Sequence, residues 1–373
     1  EYYVNDAGGQ VMKLGHSVLK DTEAVYAGEY IDVLHKKYGN LKDVKEIGQS
    51  AAAEIIEDII KKTVEEKMQI HFDKWMSEKY IQDEKYVDRA IEILKNKKLT
   101  YELEGALWLK TTEFGDDKDR VLLKGNGEKA YFAGDCGYML NKIERGFNAL
   151  VFGLGADHHG YIGRMKALAK ALGFAGEVRF VISQLVRIVK DGKEVRMSKR
   201  AGNVVEISEL IEKVGHDVAR FFFLMYSPDT HMNFDLGLAE ERSQKNPVFY
   251  VQYAHARICS ILRKAQEIDA NLPVADSDEN LSLLVHDKEM SLIKELNKFP
   301  ELVAEVSESY EVHKLPYYAI KLADKFHSFY NACKVIDAEN LELTKARLGL
   351  ITAVQIVLAQ TLDLIGVQAP EKM

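Results

Sequence analysis

Proline is scarce in this chain and confined to one part of it: all six residues, from Pro228 to Pro370, lie in the C-terminal part and none precedes Pro228. Cysteine is scarcer still. Cys136, Cys259 and Cys333 stand far apart with no C-x-x-C spacing, which points to a reducing compartment and speaks against a disulfide framework or a cysteine-held zinc. No run of about 18 apolar residues occurs, so no membrane span is expected. The opening residues, EYYVNDAGGQ, lack the basic segment and apolar core of a secretory signal. An excess of positive charge is missing too. The formal net charge is -8, so any contact with nucleic acid must come from local basic patches. There is no internal repeat and no low-complexity segment.

What is present is an ordinary globular composition, 47% apolar and 29% charged, over 373 residues, enough for two or three domains. The texture changes where proline begins. Before about residue 226 short β-rich runs alternate with helical stretches, and after about residue 240 the chain reads as almost wholly helical. YYV suggests a strand fragment, followed by a helical pattern from Gly9 to Tyr38. Residues 50–98 place apolar positions at helical spacing among many charges and read as an exposed helical insertion, not a sheet element. ALWL, RVLL, ALVFGLG, VRFVIS and LVRIV read as strands; Gly125-Asn126-Gly127 forms a turn, and Asp191-Gly192 closes the last strand. Alternating strands and helices predict a parallel α/β sheet with ligands at the carboxyl ends of its strands. In the C-terminal part Ile351, Val354, Leu358, Leu362 and Ile365 recur at helical spacing, predicting a bundle with short connections.

Three stretches carry chemistry. In VFGLGADHHGY an apolar strand ends at Gly155 and passes through Asp157, His158 and His159 into a helix. Small residues there admit a nucleotide, and a carboxylate accepts from ribose hydroxyls. A plain structural crossover and a metal site on Asp157, His158 and His159 stay open beside that reading. In KAYFAGDCGYMLNKIERG, Tyr131 and Asp135 fall one helical turn apart and can face one pocket, where a guanidinium could be held bidentately. The competing reading makes Asp135 a helix cap and Cys136 a small packed residue. In EVRMSKRAGNVVEI, Arg196, Lys199 and Arg200 surround a Met-Ser pair beside Gly202, which suits a loop that meets phosphate. A solvated turn between a hairpin and a helix would have the same composition.

Taken in order, these blocks resemble a known family. VRMSKR is similar to the K-M-S-K-S loop of class I aminoacyl-tRNA synthetases. EYYVNDAG, YFAGDCGYMLNKIERG, GADHHGYIGRMKALAKALG and MSKRAGNVVEISELIEKVGHDVARFFFL resemble the arginyl-tRNA synthetases block after block, and NPVFYVQYAHAR and GVQAPEKM resemble that family's helical anticodon-binding domain.

The resemblance implies a Rossmann-like parallel-sheet catalytic domain over 1–235, with its helical insertion at about 50–98, followed by an all-α anticodon-binding bundle over 236–373. It implies arginine activation by ATP and transfer to tRNA(Arg), with magnesium accompanying ATP, no tightly bound metal, and activation that waits on bound tRNA. Tyr131, Asp135 and Asn5 would serve arginine, with Asp6 near the cleft. Gly155, Asp157, His158, Met197 and Lys199 would serve ATP, while Lys199, Arg196 and Ser198 would act in catalysis. Tyr250, Tyr253, Arg257 and Met373 would contact the anticodon arm, although ordinary core packing explains them as well. A cytoplasmic monomer is expected.

Three departures stand against this pattern. The family's His-Ile-Gly-His-type signature and its small N-terminal tRNA-binding domain are not among these residues, so an incomplete catalytic domain is expected. Arg196 and Arg200 occupy the outer positions of the signature loop. DCGYML differs from the commoner wording around Asp135. The alternative is a non-catalytic RNA-binding paralogue, or a fragment of a synthetase.

Overall fold

A computed structural model describes residues 1–195, 206–268 and 278–373. The N-terminal part is built on short parallel strand pairs, each formed by segments separated by helices. Tyr2–Val4 pairs in parallel with Trp75–Ser77, Ala149–Gly155 with Glu177–Ser183, and Val186–Lys190 with Met232–Asp235. The parallel architecture expected from the sequence is therefore present, divided among small sheets. The strands Thr100–Leu103, Ala106–Leu109 and Arg120–Leu123 form a separate antiparallel sheet. Its first turn places Glu104 and Gly105 at φ 52° and 75°, values that a two-residue hairpin of right-handed twist demands. Asp191 and Gly192, at φ 52° and 73°, close Val186–Lys190 against Lys193–Glu194 in the same way, as the sequence predicts.

Two sequence expectations need correction. The helical pattern from Gly9 to Tyr38 is two helices, Gly8–Leu19 and Glu29–Tyr38. Lys20 terminates the first in the left-handed region, and Gly28, at φ 135°, precedes the second. The segment 50–98 is mostly helical, but it is not purely an exposed insertion. Trp75–Ser77 is a strand in register with Tyr2–Val4, and Met76, Ile81, Val87, Ala90, Ile91 and Leu94 are buried in the core beneath the site. Three residues are too short to show a period of two, so the flanking helical pattern masked the strand. Ahead of it the chain continues from Val44–Glu54 into a π-helix, Ile55–Lys67, none of whose residues is fully buried.

Three apolar clusters organise the described residues. One joins Val11, Val18, Leu34 and Ile47 among the first helices. A second joins Leu109, Leu122, Met139, Leu168 and their neighbours beneath the antiparallel sheet and the helices Tyr131–Glu144 and Ile162–Leu172. The third is the largest. It fills the bundle of Pro247–Ile268, Lys314–Ala332 and Leu341–Leu364 and extends across residue 235 to include Ile188, Leu210, Phe221 and Phe234. Leu341–Leu364 is long and apolar enough by composition to cross a membrane, yet Leu348, Ile351, Val354, Leu358 and Leu362 are buried in this core. Its apolar character is that of a central bundle helix.

Candidate active site

The carboxyl ends of two parallel pairs lie near one helix. Strand Tyr2–Val4 leads into Asn5 and Asp6, and its partner Trp75–Ser77 leads into Glu78. Asp6 ties the two together, accepting from Ser77 Oγ at 2.6 Å and from the Lys79 amide at 2.9 Å. The pair is fixed against helix Tyr131–Glu144 by ring packing of Tyr3 on Tyr138, centroids 4.3 Å apart. At the start of the strand Glu1 accepts hydrogen bonds from Tyr138 and Arg145, and from Lys142 at 2.6 Å. Burial alone would push the Glu1 carboxyl up, but these donors outweigh it and hold it at about 2.

Asp135 sits on that helix beneath Tyr131, one turn earlier. Helix Tyr131–Glu144 begins after Ala130 without a side-chain cap, so Asp135 is an interior helical residue and the capping explanation falls. Tyr161, at the end of the short 3-10 helix Ala156–Tyr161, donates its hydroxyl to Asp135 Oδ1. Among the described residues, the buried Oδ2 of Asp135 has no hydrogen-bond partner. Burial pushes this carboxyl up to about 6, against the pull of the Tyr161 hydrogen bond and the Arg164 charge, with Glu78 adding to the rise. Glu78 is raised in turn, by burial and then by Asp6. The phenols of Tyr3 and Tyr131 are pushed up by burial first and then by the charges of Glu78 and Asp135. A half-buried anionic cluster with one orphaned carboxylate oxygen is chemically suited to a cation that brings several N–H donors.

The pair Ala149–Gly155 and Glu177–Ser183 ends in register at Gly155 and Ser183. Gly155 carries no side chain over this strand end, and a Cβ there would stand 2.8 Å from Oδ1 of Asp157, an exposed carboxylate free to move aside. Asp157 is largely exposed, and its Oδ2 lies 3.5 Å from Nε2 of His158. The His158 ring meets Tyr161 edge-on at 5.8 Å, which joins this strand end to the Asp135 pocket. Among the described residues no three His, Cys, Asp or Glu side chains gather as metal ligands.

The structure thus brings together Tyr131, Asp135, Gly155, Asp157 and His158. Tyr131 is at the rim, 83% exposed, above the buried carboxylate. Asn5 is exposed and lines a neighbouring cavity of about 920 Å³ with Tyr2, Tyr26, Ile55 and Trp75. Arg196, Met197, Ser198 and Lys199 lie outside the described residues. The sequence reading missed Tyr161, Arg164, Tyr3 and Glu78. Tyr161 and Arg164 stand three apart at the junction of the 3-10 helix with Ile162–Leu172, a spacing that places a ring and a guanidinium on one face. Glu78 was hidden inside the segment read as an insertion.

In the bundle, Tyr253, Arg257 and Met373 line a second cavity of about 780 Å³ with Arg263, Lys264 and Tyr330. The Arg257 guanidinium lies over the rings of Tyr253 and Tyr330, 4.7 and 4.9 Å from their centroids. Tyr250 is not among the lining residues; its ring lies 4.9 Å from His327, which Tyr253 also meets at 6.0 Å, and its hydroxyl 3.4 Å from Asp324 Oδ1. Stacked aromatics with cations form a surface on which unpaired bases can stack.

Parallel strand ends bearing a glycine, a carboxylate and an imidazole, followed by a helical bundle, match the layout expected of a class I aminoacyl-tRNA synthetase. The comparisons agree: residues 2–221 match the family described as tRNA synthetases class I (R), catalytic domain, and residues 251–373 match the DALR anticodon binding domain. Arginine--tRNA ligases from Symbiobacterium thermophilum and Bacillus subtilis are 42% and 45% identical, each covering 100% of this chain, which in turn covers 70% of theirs. A crystal structure of an arginyl-tRNA synthetase from Campylobacter jejuni superposes with a TM-score of 0.88 at 33% identity, over 100% of this chain and 84% of that one. That from Thermus thermophilus, at 20% identity, shares the fold with a TM-score of 0.78, over 100% of this chain and 75% of that one. The chain belongs to the arginyl-tRNA synthetase family.

Proposed function

We propose that the chain activates arginine with ATP and passes the arginyl group to the 3′ end of tRNA(Arg). The observation that carries this reading is the buried, unpartnered Oδ2 of Asp135 beside the parallel strand ends. Arginine's guanidinium would occupy that pocket, with Tyr131 at its rim. Its carboxylate would attack the α-phosphorus of ATP in line, releasing pyrophosphate, and a hydroxyl of the terminal ribose of tRNA would then attack the arginyl carbonyl and displace AMP. Such a reaction needs positioning and charge more than covalent help from the protein.

Gly155 would let the nucleotide approach the strand end, with Asp157 and His158 beside its ribose and base. ATP would enter as its magnesium complex, and Lys199, flanked by Arg196, Met197 and Ser198, would meet the phosphates. Tyr250, Tyr253, Arg257 and Met373 would hold the anticodon arm. In this reading residues 1–235 are the catalytic unit, 236–373 the RNA-binding unit, and the protein is a cytoplasmic monomer.

Family membership favours this over a non-catalytic RNA-binding relative. ATP–pyrophosphate exchange, measured with arginine in the presence and absence of tRNA, tests it directly. Arginine-dependent exchange is the expected result; tight tRNA binding with no exchange under any condition would assign the chain to the alternative.

A further inference from the structure

The arginine reading leaves Tyr161 without a role, yet its hydroxyl donates to Oδ1 of the same carboxylate that is meant to grip the substrate. The Tyr161 ring is in turn held from two sides. The Arg164 guanidinium carbon lies 4.9 Å from its centroid, and His158 packs edge-on at 5.8 Å. Among the described residues Arg164 Nε is buried without a hydrogen-bond partner, and its guanidinium rests against the Tyr161 ring within the field of Asp135.

We propose that Tyr161, steadied by Arg164, is a positioning residue for arginine: it occupies Oδ1 of Asp135, fixes the plane of the carboxylate, and leaves Oδ2 as the one oxygen presented to the substrate guanidinium. The substrate is then gripped through a single oxygen of Asp135 and not bidentately. Its remaining N–H groups turn toward other acceptors of the pocket, of which the Tyr131 phenol is the nearest along the helix. This inference rests on the arginine reading and deepens it.

The arrangement has a second consequence. Asp135 is surrounded by Tyr131 on its own helix, Tyr161 and Arg164 on the segment that follows Gly155, Glu78 after its strand and Tyr3 on the first strand. Burial and Glu78 favour its protonated form, while the Tyr161 hydrogen bond and Arg164 favour the ionised form that binds a cation. Tyr161 therefore sets orientation and also keeps the carboxylate ionised near neutral pH.

Arginine binding to the full chain, measured calorimetrically from about pH 5.5 to about 8.5, separates this role from simple packing. The parent should lose arginine as pH falls through about 6. Tyr161→Phe keeps the ring and removes the donor, so the midpoint of the profile should move up by about one pH unit, a roughly tenfold change in proton affinity. At the alkaline end, where Asp135 is ionised in both proteins, affinity should still fall by about threefold, because the plane of the carboxylate is no longer fixed. Arg164→Met removes the steadying charge and should shift the midpoint in the same direction by less. Profiles of Tyr161→Phe that superimpose on the parent, or that fall equally at every pH, would overturn the proposal. A parent that binds no arginine at any pH would instead strike the activity reading beneath it.

Discussion

Two carboxylates, one in each half of this molecule, are treated in opposite ways. In the bundle Glu289 is buried but complete: its Oε1 accepts from Arg347 Nε at 2.7 Å and its Oε2 from the His286 amide at 2.8 Å, closing a capping box at Asp287–Leu296. Glu295 there is likewise met by Lys298 at 2.8 Å and Lys321 at 3.5 Å. In the catalytic half Asp135 is half-buried, with one buried oxygen unpartnered among the described residues and its proton affinity raised. A satisfied buried charge holds a fold together, whereas an unsatisfied one destabilises it and is retained where a ligand completes it. The difference separates architecture from recognition inside one chain.

The largest test of that contrast is in the bundle. Phe326 is fully buried in the main core, and Phe326→Ala should cost about 4 kcal/mol in denaturant unfolding. Arginine affinity of the molecules that remain folded should not change. A parallel loss of arginine affinity would mean that the core crossing residue 235 couples the halves more tightly than the contrast allows.

Next comes Asp135→Asn, for which two opposite effects are expected. Arginine affinity should fall by about 2 kcal/mol or more, since a charged acceptor is lost from a dry site. Stability should rise. The folded carboxyl titrates at about 6 against an ordinary 3.8, so the folded state holds the extra proton between those values. The stabilising contribution of that proton is complete below the unfolded value and is lost as pH rises through about 6. The Asn variant should accordingly melt higher than the parent above that pH, by about 1–2 kcal/mol, with the gain vanishing toward about pH 4. Equal melting of both proteins at neutral pH would remove the strained carboxylate from the contrast.

Glu1 supplies the reverse sign within the same half. Its carboxyl is held at about 2 by Lys142, Tyr138 and Arg145, so its contribution is present above the ordinary carboxylate range and is lost as pH falls toward 2. Glu1→Gln should destabilise by about 1 kcal/mol at neutral pH, measured by thermal melting, and by progressively less in acid. The smallest effect belongs to the bundle cavity. Arg257→Ala should weaken tRNA binding by about 1 kcal/mol, read by filter binding, with the arginine dependence of activation unchanged.

Much of this was legible before any coordinates. The α/β alternation, the turns at Asn126 and at Asp191-Gly192, and the helical bundle follow from periodicity and turn chemistry, which are local. Tyr131 and Asp135 were legible as a pair because a helix places residues four apart on one face. The strand Trp75–Ser77 was not, since its partner Tyr2–Val4 is remote in sequence, across the whole of residues 5–74. Glu78 was lost with it.

Sequence alone determined which side chains could do the chemistry: a carboxylate and a phenol one turn apart, a glycine ending an apolar strand, and a cationic Met-Ser-Lys segment beside a glycine. Tertiary structure decided what those groups are. It buried Asp135, brought Tyr161 onto one of its oxygens, and left the other without a partner. Burial and hydrogen bonding depend on neighbours remote in sequence, so no local pattern encodes a raised carboxyl or an orphaned oxygen.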